Sequence, residues 1–163
     1  MFDILGAAVV GARWLDLYAG SGSLGIEALS RGAAHATFVE AGRAGLRSLE
    51  ANLAYLELRP PEAIIETRPL PAFLWGSRPD GGPFDFVSLD PPFRVCRQEE
   101  PRAALVAGLP NLVDSGWLSP GARLLWEEPD DAPDPVPDGF AEIDRRAYGS
   151  ARLRIFAAAL QGG

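Results

Sequence analysis

The chain has 163 residues, 47% of them hydrophobic and 23% charged, which suits one domain built on one sizeable core and excludes wholesale disorder. Its basic residues are 15 arginines, with no lysine, against 22 acids, a net charge of −7. That balance excludes a general polyanion binder, so any nucleic-acid partner must meet a local Arg patch.

No apolar run reaches the roughly 18–20 residues of a membrane span, and no basic-then-apolar leader opens the chain. A soluble, cytoplasmic protein is expected. One cysteine, Cys96, and one histidine, His35, are too few for a multi-cysteine metal centre, a zinc site or a Ser-His-Asp triad, so no metal is expected. Carboxylates, backbone groups, aromatics and Arg remain to do chemistry.

In chain order, short apolar runs alternate with helical patterns, the mark of an α/β sheet. Residues 14–18 read as a first strand ending in a glycine-rich turn, and 22–31 as a helix offering Leu24, Ile26 and Leu29 to the sheet. Residues 36–40 are a second strand. Leu46, Leu49, Leu53 and Leu56 line one face of an amphipathic helix over 41–58, stopped by Pro60-Pro61. Strands follow at 63–66 and 84–89, a helix near 100–108 that Pro110 breaks or restarts, and a fifth strand at 122–127. Four prolines and four aspartates make 129–139 a solvated loop. Residues 141–148 and 151–158 form a closing hairpin through Gly149-Ser150. A mostly parallel sheet finished by an antiparallel hairpin is the expected architecture.

Two turns carry chemistry. Gly20-Ser21-Gly22-Ser23-Leu24-Gly25 fits G-x-G-x-x-G between a strand and a helix, where the backbone turns sharply and approaches a ligand closely. Its helix N-terminal amides suit an anionic group. Glu40 ends the second strand, where a carboxylate accepts two ribose hydroxyls. This pattern serves NAD, FAD or S-adenosylmethionine, or a tight turn with no ligand. Asp16, four residues before the glycines, repels a pyrophosphate and favours the ammonium or sulfonium of S-adenosylmethionine.

Asp90-Pro91-Pro92-Phe93 follows the fourth strand. The prolines lack N–H donors and leave carbonyls free to face a cleft. The Asp90 carboxylate and the Pro91 carbonyl suit the two hydrogens of one amino group, and Phe93 offers a face for a planar base. An exocyclic amine so held turns pyramidal and aims its lone pair at a methyl group.

At Asp16 to Gly25, Glu40 and Asp90 to Phe93 the sequence resembles the Rossmann-like, class I S-adenosylmethionine-dependent methyltransferases. Residues 15–33 resemble more narrowly the RsmD-type ribosomal RNA (guanine-N2)-methyltransferases, and Ala51-Asn52-Leu53, Gly116-Trp117-Leu118 and Tyr148-Gly149 fit the same pattern. The resemblance runs from Phe2 through nearly the whole chain. It implies a seven-stranded sheet with helices on both faces, in a single domain spanning 1–163. It implies that Asp16, Tyr18, Gly20, Gly22 and Glu40 bind S-adenosylmethionine, and that Asp90, Pro91, Pro92 and Phe93 hold a guanine amine. The implied partner is ribosomal RNA or a small-subunit assembly particle, met by a monomer. Two departures stand out. The family normally carries an N-terminal segment, a basic hairpin and an Arg-containing helix. Met1-Phe2-Asp3-Ile4-Leu5 resembles the tail of that helix, which implies either a misplaced start or a chain without that lid. Arg68 stands near where the family has Asp or Asn, and it cannot accept a bond from the adenine amine.

Other residues read more plainly. Cys96 lies too far from the Pro-Pro turn for a nucleophile, and His35 is expected at the surface in a loop. Arg94 and Arg97 flank the turn and suit phosphates or solvent. Arg145, Arg146, Arg152 and Arg154 read as charges keeping a sheet edge soluble, or as an RNA patch. Trp14, Trp75, Trp117 and Trp126 are expected in the core or cleft wall. A DNA amine methyltransferase and a non-catalytic cofactor-binding remnant are the rival readings; a dehydrogenase leaves the Pro-Pro turn unexplained.

Overall fold

A computed structural model describes residues 1–159. The strands are β1 (Arg13–Leu17), β2 (His35–Val39), β3 (Ala63–Glu66), β4 (Phe84–Leu89), β5 (Leu118–Pro129), β6 (Phe140–Tyr148) and β7 (Ala151–Ala158). They form one sheet in the order β3-β2-β1-β4-β5-β7-β6. The first five in that order run parallel, and β7 is antiparallel to both β5 and β6. This is the expected Rossmann-like class I architecture. The strand order reverses between β1 and β4, and such a switch point opens a crevice beyond the carboxyl ends of the strands.

The helices are α1 (Phe2–Leu5), α2 (Ser23–Ser30), α3 (Arg43–Tyr55), α4 (Phe93–Arg97), α5 (Glu99–Gly108) and α6 (Pro110–Asp114). Parallel strands buried on both faces need a core on each side, and there are two. One packs Leu29, Leu49 and Leu53 of α2 and α3 against Trp14, Phe38 and Ile155. The other packs Leu105 of α5 and Leu112 of α6 against Leu17, Val87 and Trp126. Phe2 stacks on Trp14 and Trp14 on Phe86, each pair of ring centres 5.3 Å apart, so α1 closes the first core.

Several expectations change. Helix α3 stops at Tyr55, before the prolines: Glu57 is left-handed at φ 57°, and the Leu58 N–H bonds back to the Leu53 carbonyl at 2.9 Å. Leu56 is therefore left exposed rather than on the buried face. On α2 the residues that reach the sheet side fully are Gly25, Ala28 and Leu29, while Leu24 and Ile26 are half-buried. Pro110 restarts a helix rather than ending one, as Pro at the first helical turn often does. β5 starts four residues earlier than its apolar run because Leu118–Gly121 joins it through a register shift opposite Phe84–Phe86.

His35 is not a surface loop residue. It opens β2, is buried, and its ring meets the Pro61 carbonyl at 2.6 Å and the Thr37 hydroxyl at 2.7 Å. Burial holds its pKa below the usual histidine value. Trp14, Trp117 and Trp126 are core, but Trp75 is 62% exposed.

The hairpin arginines depart furthest from expectation. Arg152 and Arg154 are buried, and with Arg102 of α5 they converge on buried Glu128, at 2.9, 3.5 and 2.7 Å. Arg154 also bonds Glu142 at 2.6 Å, and Arg145 ties Glu142 and Asp134. Neighbouring guanidinium groups, first Arg145, hold the Glu142 carboxyl down at about 2. Arg152 and Arg154 further donate to the carbonyls of Ala132 and Pro135, both at 2.9 Å. The acidic, proline-rich stretch is thus fastened to the sheet by these arginines, which are spent on it rather than offered to solvent.

Candidate active site

A cavity of about 520 Å³ opens at the carboxyl ends of the strands, where the order reverses. Crossing the sheet, it meets Arg68, Pro69 and Leu70 after β3, Glu40 to Gly42 after β2, Tyr18 and Gly20 after β1, Asp90 to Arg94 after β4, Glu127 to Pro129 at the end of β5, and Ala151 of β7. Glu40 and Asp90, fifty positions apart in the chain, therefore share one cleft.

Local backbone chemistry builds the β1 side. Gly22 precedes α2 in the left-handed region at φ 85°. A Cβ on Gly25 would lie 2.3 Å from the Phe38 ring, so only glycine lets α2 lie this close to β2. Tyr18 is also left-handed, at φ 61°, a strained position for a bulky residue. Burial pushes its hydroxyl up to about 12.

The carboxylates around this turn are held by its own amides. Glu40 accepts from the Gly20 N–H at 2.8 Å and the Gly42 N–H at 2.5 Å. Asp16 accepts from the Gly25 N–H at 3.1 Å and the Ser88 hydroxyl at 2.6 Å, and that hydroxyl accepts from the Trp14 indole at 2.8 Å. The Gly22 N–H bonds the Ala19 carbonyl at 2.7 Å. Two amides of the turn, those of Gly20 and Gly25, are thus already engaged by acids, and that of Gly22 by a carbonyl. Such a turn suits a cationic ligand and repels a pyrophosphate.

Asp16 and Gly22 stand behind the cavity wall, whereas Tyr18, Gly20 and Glu40 line it. Burial pushes the Asp16 carboxyl up to about 6, against the lowering by Ser88 and Gly25; the charges of Asp90 and Glu40 add to the rise.

On the β4 side, Asp90 is at the rim, and burial of its carboxyl followed by the nearby Glu127 charge raises its pKa. Pro92 precedes α4 and its carbonyl takes the Val95 N–H at 2.8 Å, so it does not face the cleft. The Pro91 carbonyl receives the Cys96 thiol at 3.4 Å and keeps one lone pair for a second donor. Burial, then the Glu128 charge, raises Cys96 to about 11, which leaves it a thiol. Phe93 is 69% exposed over the cavity mouth.

Beside it Arg94 makes no ion pair among the described residues, while Arg97 pairs with Asp131 at 3.2 Å. At the far end Arg68 bonds Glu66 at 3.1 Å and lies 4.7 Å over the Phe73 ring. The sequence reading missed Glu127 as a cavity residue; its only signal was an acid ending a strand beside the Asp90 turn.

A reversed parallel sheet with a glycine turn after its first strand, an acid after its second and Asp-Pro-Pro-Phe after its fourth defines a class I, Rossmann-like methyltransferase. A solved methyltransferase structure, SMU.776 complexed with SAH, shares that fold, with a TM-score of 0.71 at 12% identity over 95% of this chain and 47% of its own. Residues 1–157 match the family described as conserved hypothetical protein 95. Escherichia coli ribosomal RNA small subunit methyltransferase D is 34% identical over 163 residues, 99% of this chain and 76% of that protein. The Haemophilus influenzae protein of the same name is 31% identical over 157 residues, 96% of this chain and 77% of that protein. A solved Escherichia coli structure, yhhF, superposes with a TM-score of 0.80 at 34% identity, covering 98% of this chain and 84% of its own. The chain belongs to that family, which includes these RsmD-type proteins, and it is a methyltransferase.

Proposed function

We propose that the protein moves a methyl group from S-adenosylmethionine to the exocyclic N2 amine of a guanine in small-subunit ribosomal RNA. One observation carries this reading: the Gly20/Glu40 end and the Asp90-Pro91-Pro92-Phe93 end are parts of a single cavity. The names of the relatives supply the RNA class, and the amine-holding turn supplies the reacting group.

The residues fit the cofactor. The acids Asp16 and Glu40 beside the glycine turn favour a sulfonium and an ammonium over an anion. When bound, S-adenosylmethionine supplies an electrophilic methyl group. Glu40, already oriented by two amides, has lone pairs left for ribose hydroxyls. Asp16 holds the turn in shape through Gly25.

Phe93 stacks the base, and Asp90 with the Pro91 carbonyl accepts the amine hydrogens. Fixing the nitrogen in line with the methyl group supplies much of the rate. The raised Asp90 carboxyl suits it to take the proton that the amine nitrogen loses. Arg94 beside Phe93 is placed for a phosphate of the RNA.

The test is calorimetry with S-adenosylmethionine and S-adenosylhomocysteine, followed by labelled methyl transfer to unmethylated small-subunit RNA, naked and assembled, and to duplex DNA. Heat with both ligands and label recovered as N2-methylguanosine is the expected result. No heat with either ligand overturns the cofactor assignment. Label entering DNA alone overturns the RNA assignment.

A further inference from the structure

We propose that Glu127 selects the base, accepting the N1–H of guanine beside the amine that Asp90 holds. The inference rests on the proposed function and adds a specificity-determining residue to it. It begins with register. β4 and β5 are parallel with Leu89 opposite Trp126, so Asp90 and Glu127, the next residue in each strand direction, emerge at the same height on adjacent strands. Neighbouring strands lie about 4.8 Å apart. Both residues line the cavity.

Glu127 and Glu128 are then opposites. Glu128 is buried and carries three guanidinium groups. Successive residues of a strand face opposite sides, so Glu127 is turned away from those arginines. It is half-buried, and among the described residues its carboxylate makes no hydrogen bond or ion pair. The Asp90 carboxylate is likewise without a hydrogen-bond partner among the described residues, and the Glu127 charge is one cause of its raised pKa.

Two unpaired carboxylates side by side repel each other until something brings them donors. Glu128, held by its three arginines, fixes the stretch of β5 that carries Glu127. A base presenting two adjacent donors on its Watson–Crick edge relieves both. Guanine does so, with N1–H next to its amine. Adenine and cytosine place a ring-nitrogen acceptor beside theirs, and a carboxylate facing that lone pair repels it. Asp90 alone would hold any of the three amines; Asp90 with Glu127 accepts only guanine.

The experiment uses 2-aminopurine riboside, which keeps the N2 amine but lacks O6 and carries a lone pair at N1 in place of N1–H, and the Glu127→Gln comparison separates the two changes. The methylated guanosine is mapped on a natural small-subunit RNA transcript, and a transcript with 2-aminopurine riboside at that position is compared with it in single-turnover methyl transfer. Wild type is expected to favour guanosine by roughly 10- to 100-fold. The Glu127→Gln amide can accept from N1–H or donate to N1, so its preference should collapse to within a few-fold. Its heat of S-adenosylhomocysteine binding should stay at the wild-type value and its melting temperature should not fall below wild type, which a merely structural role would not allow alongside changed base choice. If wild type treats the two transcripts alike, or Glu127→Gln keeps the full preference, the role is overturned while guanine methylation stands. If wild type methylates the natural transcript neither naked nor assembled, the proposed function falls and this role with it.

Discussion

The two ends of the cavity are both lined with acids, yet the acids differ in one respect. At the β1–β2 end, Glu40 and Asp16 are each satisfied by the chain's own donors, four hydrogen bonds in all. At the β4–β5 end, Asp90 and Glu127 have no such donors among the described residues. The first end is finished before any ligand arrives; the second is incomplete and waits for hydrogen-bond donors. On the proposed function, that is the difference between a place for a cofactor common to many methyltransferases and a place for one particular base. Shape is fixed at one end, and partner choice at the other.

Removing Asp90 should do most to break this comparison. Asp90→Ala is expected to slow methyl transfer on the order of 10³-fold, the scale of losing one transition-state hydrogen bond. S-Adenosylhomocysteine affinity should stay within a few-fold by calorimetry, because the finished end is untouched. A variant that loses both would show that the two ends are one unit.

Gly25→Ala attacks the finished end through packing. Its new Cβ would press on the Phe38 ring at 2.3 Å. Crowding of this kind costs about 3 kcal/mol, read as a melting temperature lower by roughly 6–12 °C. A melt unchanged from wild type would mean that α2 has room to shift.

The last effect is in pH. Asp16 is buried, and its carboxyl is raised from 3.8 to about 6. A raised acid binds its proton more tightly in the folded state, so its contribution is fully present below about pH 4 and lost as pH rises through 6. The loss is at most about 3 kcal/mol. Denaturant titrations of wild type and Asp16→Asn should therefore diverge between pH 4 and 6, with Asp16→Asn gaining relative to wild type as pH rises. Parallel curves would mean that Asp16 ionises freely in its pocket.

The legible parts of the sequence were those that glycine, proline and apolar periodicity punctuate. The glycine turn, β3, β4 and the closing hairpin stand within a residue or two of their expected places. Helix α4, read only as a helix start at Arg94 and Arg97, had no bounds of its own because it is five residues long and begins directly after two prolines. The end of α3 was misplaced because the stop is a left-handed Glu57, a backbone state that the sequence does not advertise.

Burial of polar groups was the least readable feature. Arg152 and Arg154 look solvated until Glu128, 24 and 26 residues earlier, is brought beneath them. His35 likewise depends on Pro61, 26 residues later. Glu127 was missed for the converse reason: its carboxylate has no hydrogen-bond or ion-pair partner among the described residues, and only the neighbouring Asp90 reveals it. Asp90-Pro91-Pro92-Phe93 and Glu40 were readable because both follow strands directly, where parallel sheets expose residues at their carboxyl ends.

The knot of arginines on Glu128 has a consequence for evolution of the chain. Helix α5 and the last strand are moored to one carboxylate, Glu128, next to the Asp90–Glu127 end of the cavity, and the same arginines hold the proline-rich loop by its carbonyls. None can drift in sequence alone: losing a guanidinium weakens the pairing of buried Glu128, and losing Glu128 leaves buried Arg102 without an ion pair among the described residues. The surroundings of Glu127 can change only by concerted replacement, whereas the Arg68 end, held by one half-exposed pair and the face of Phe73, is freer to vary.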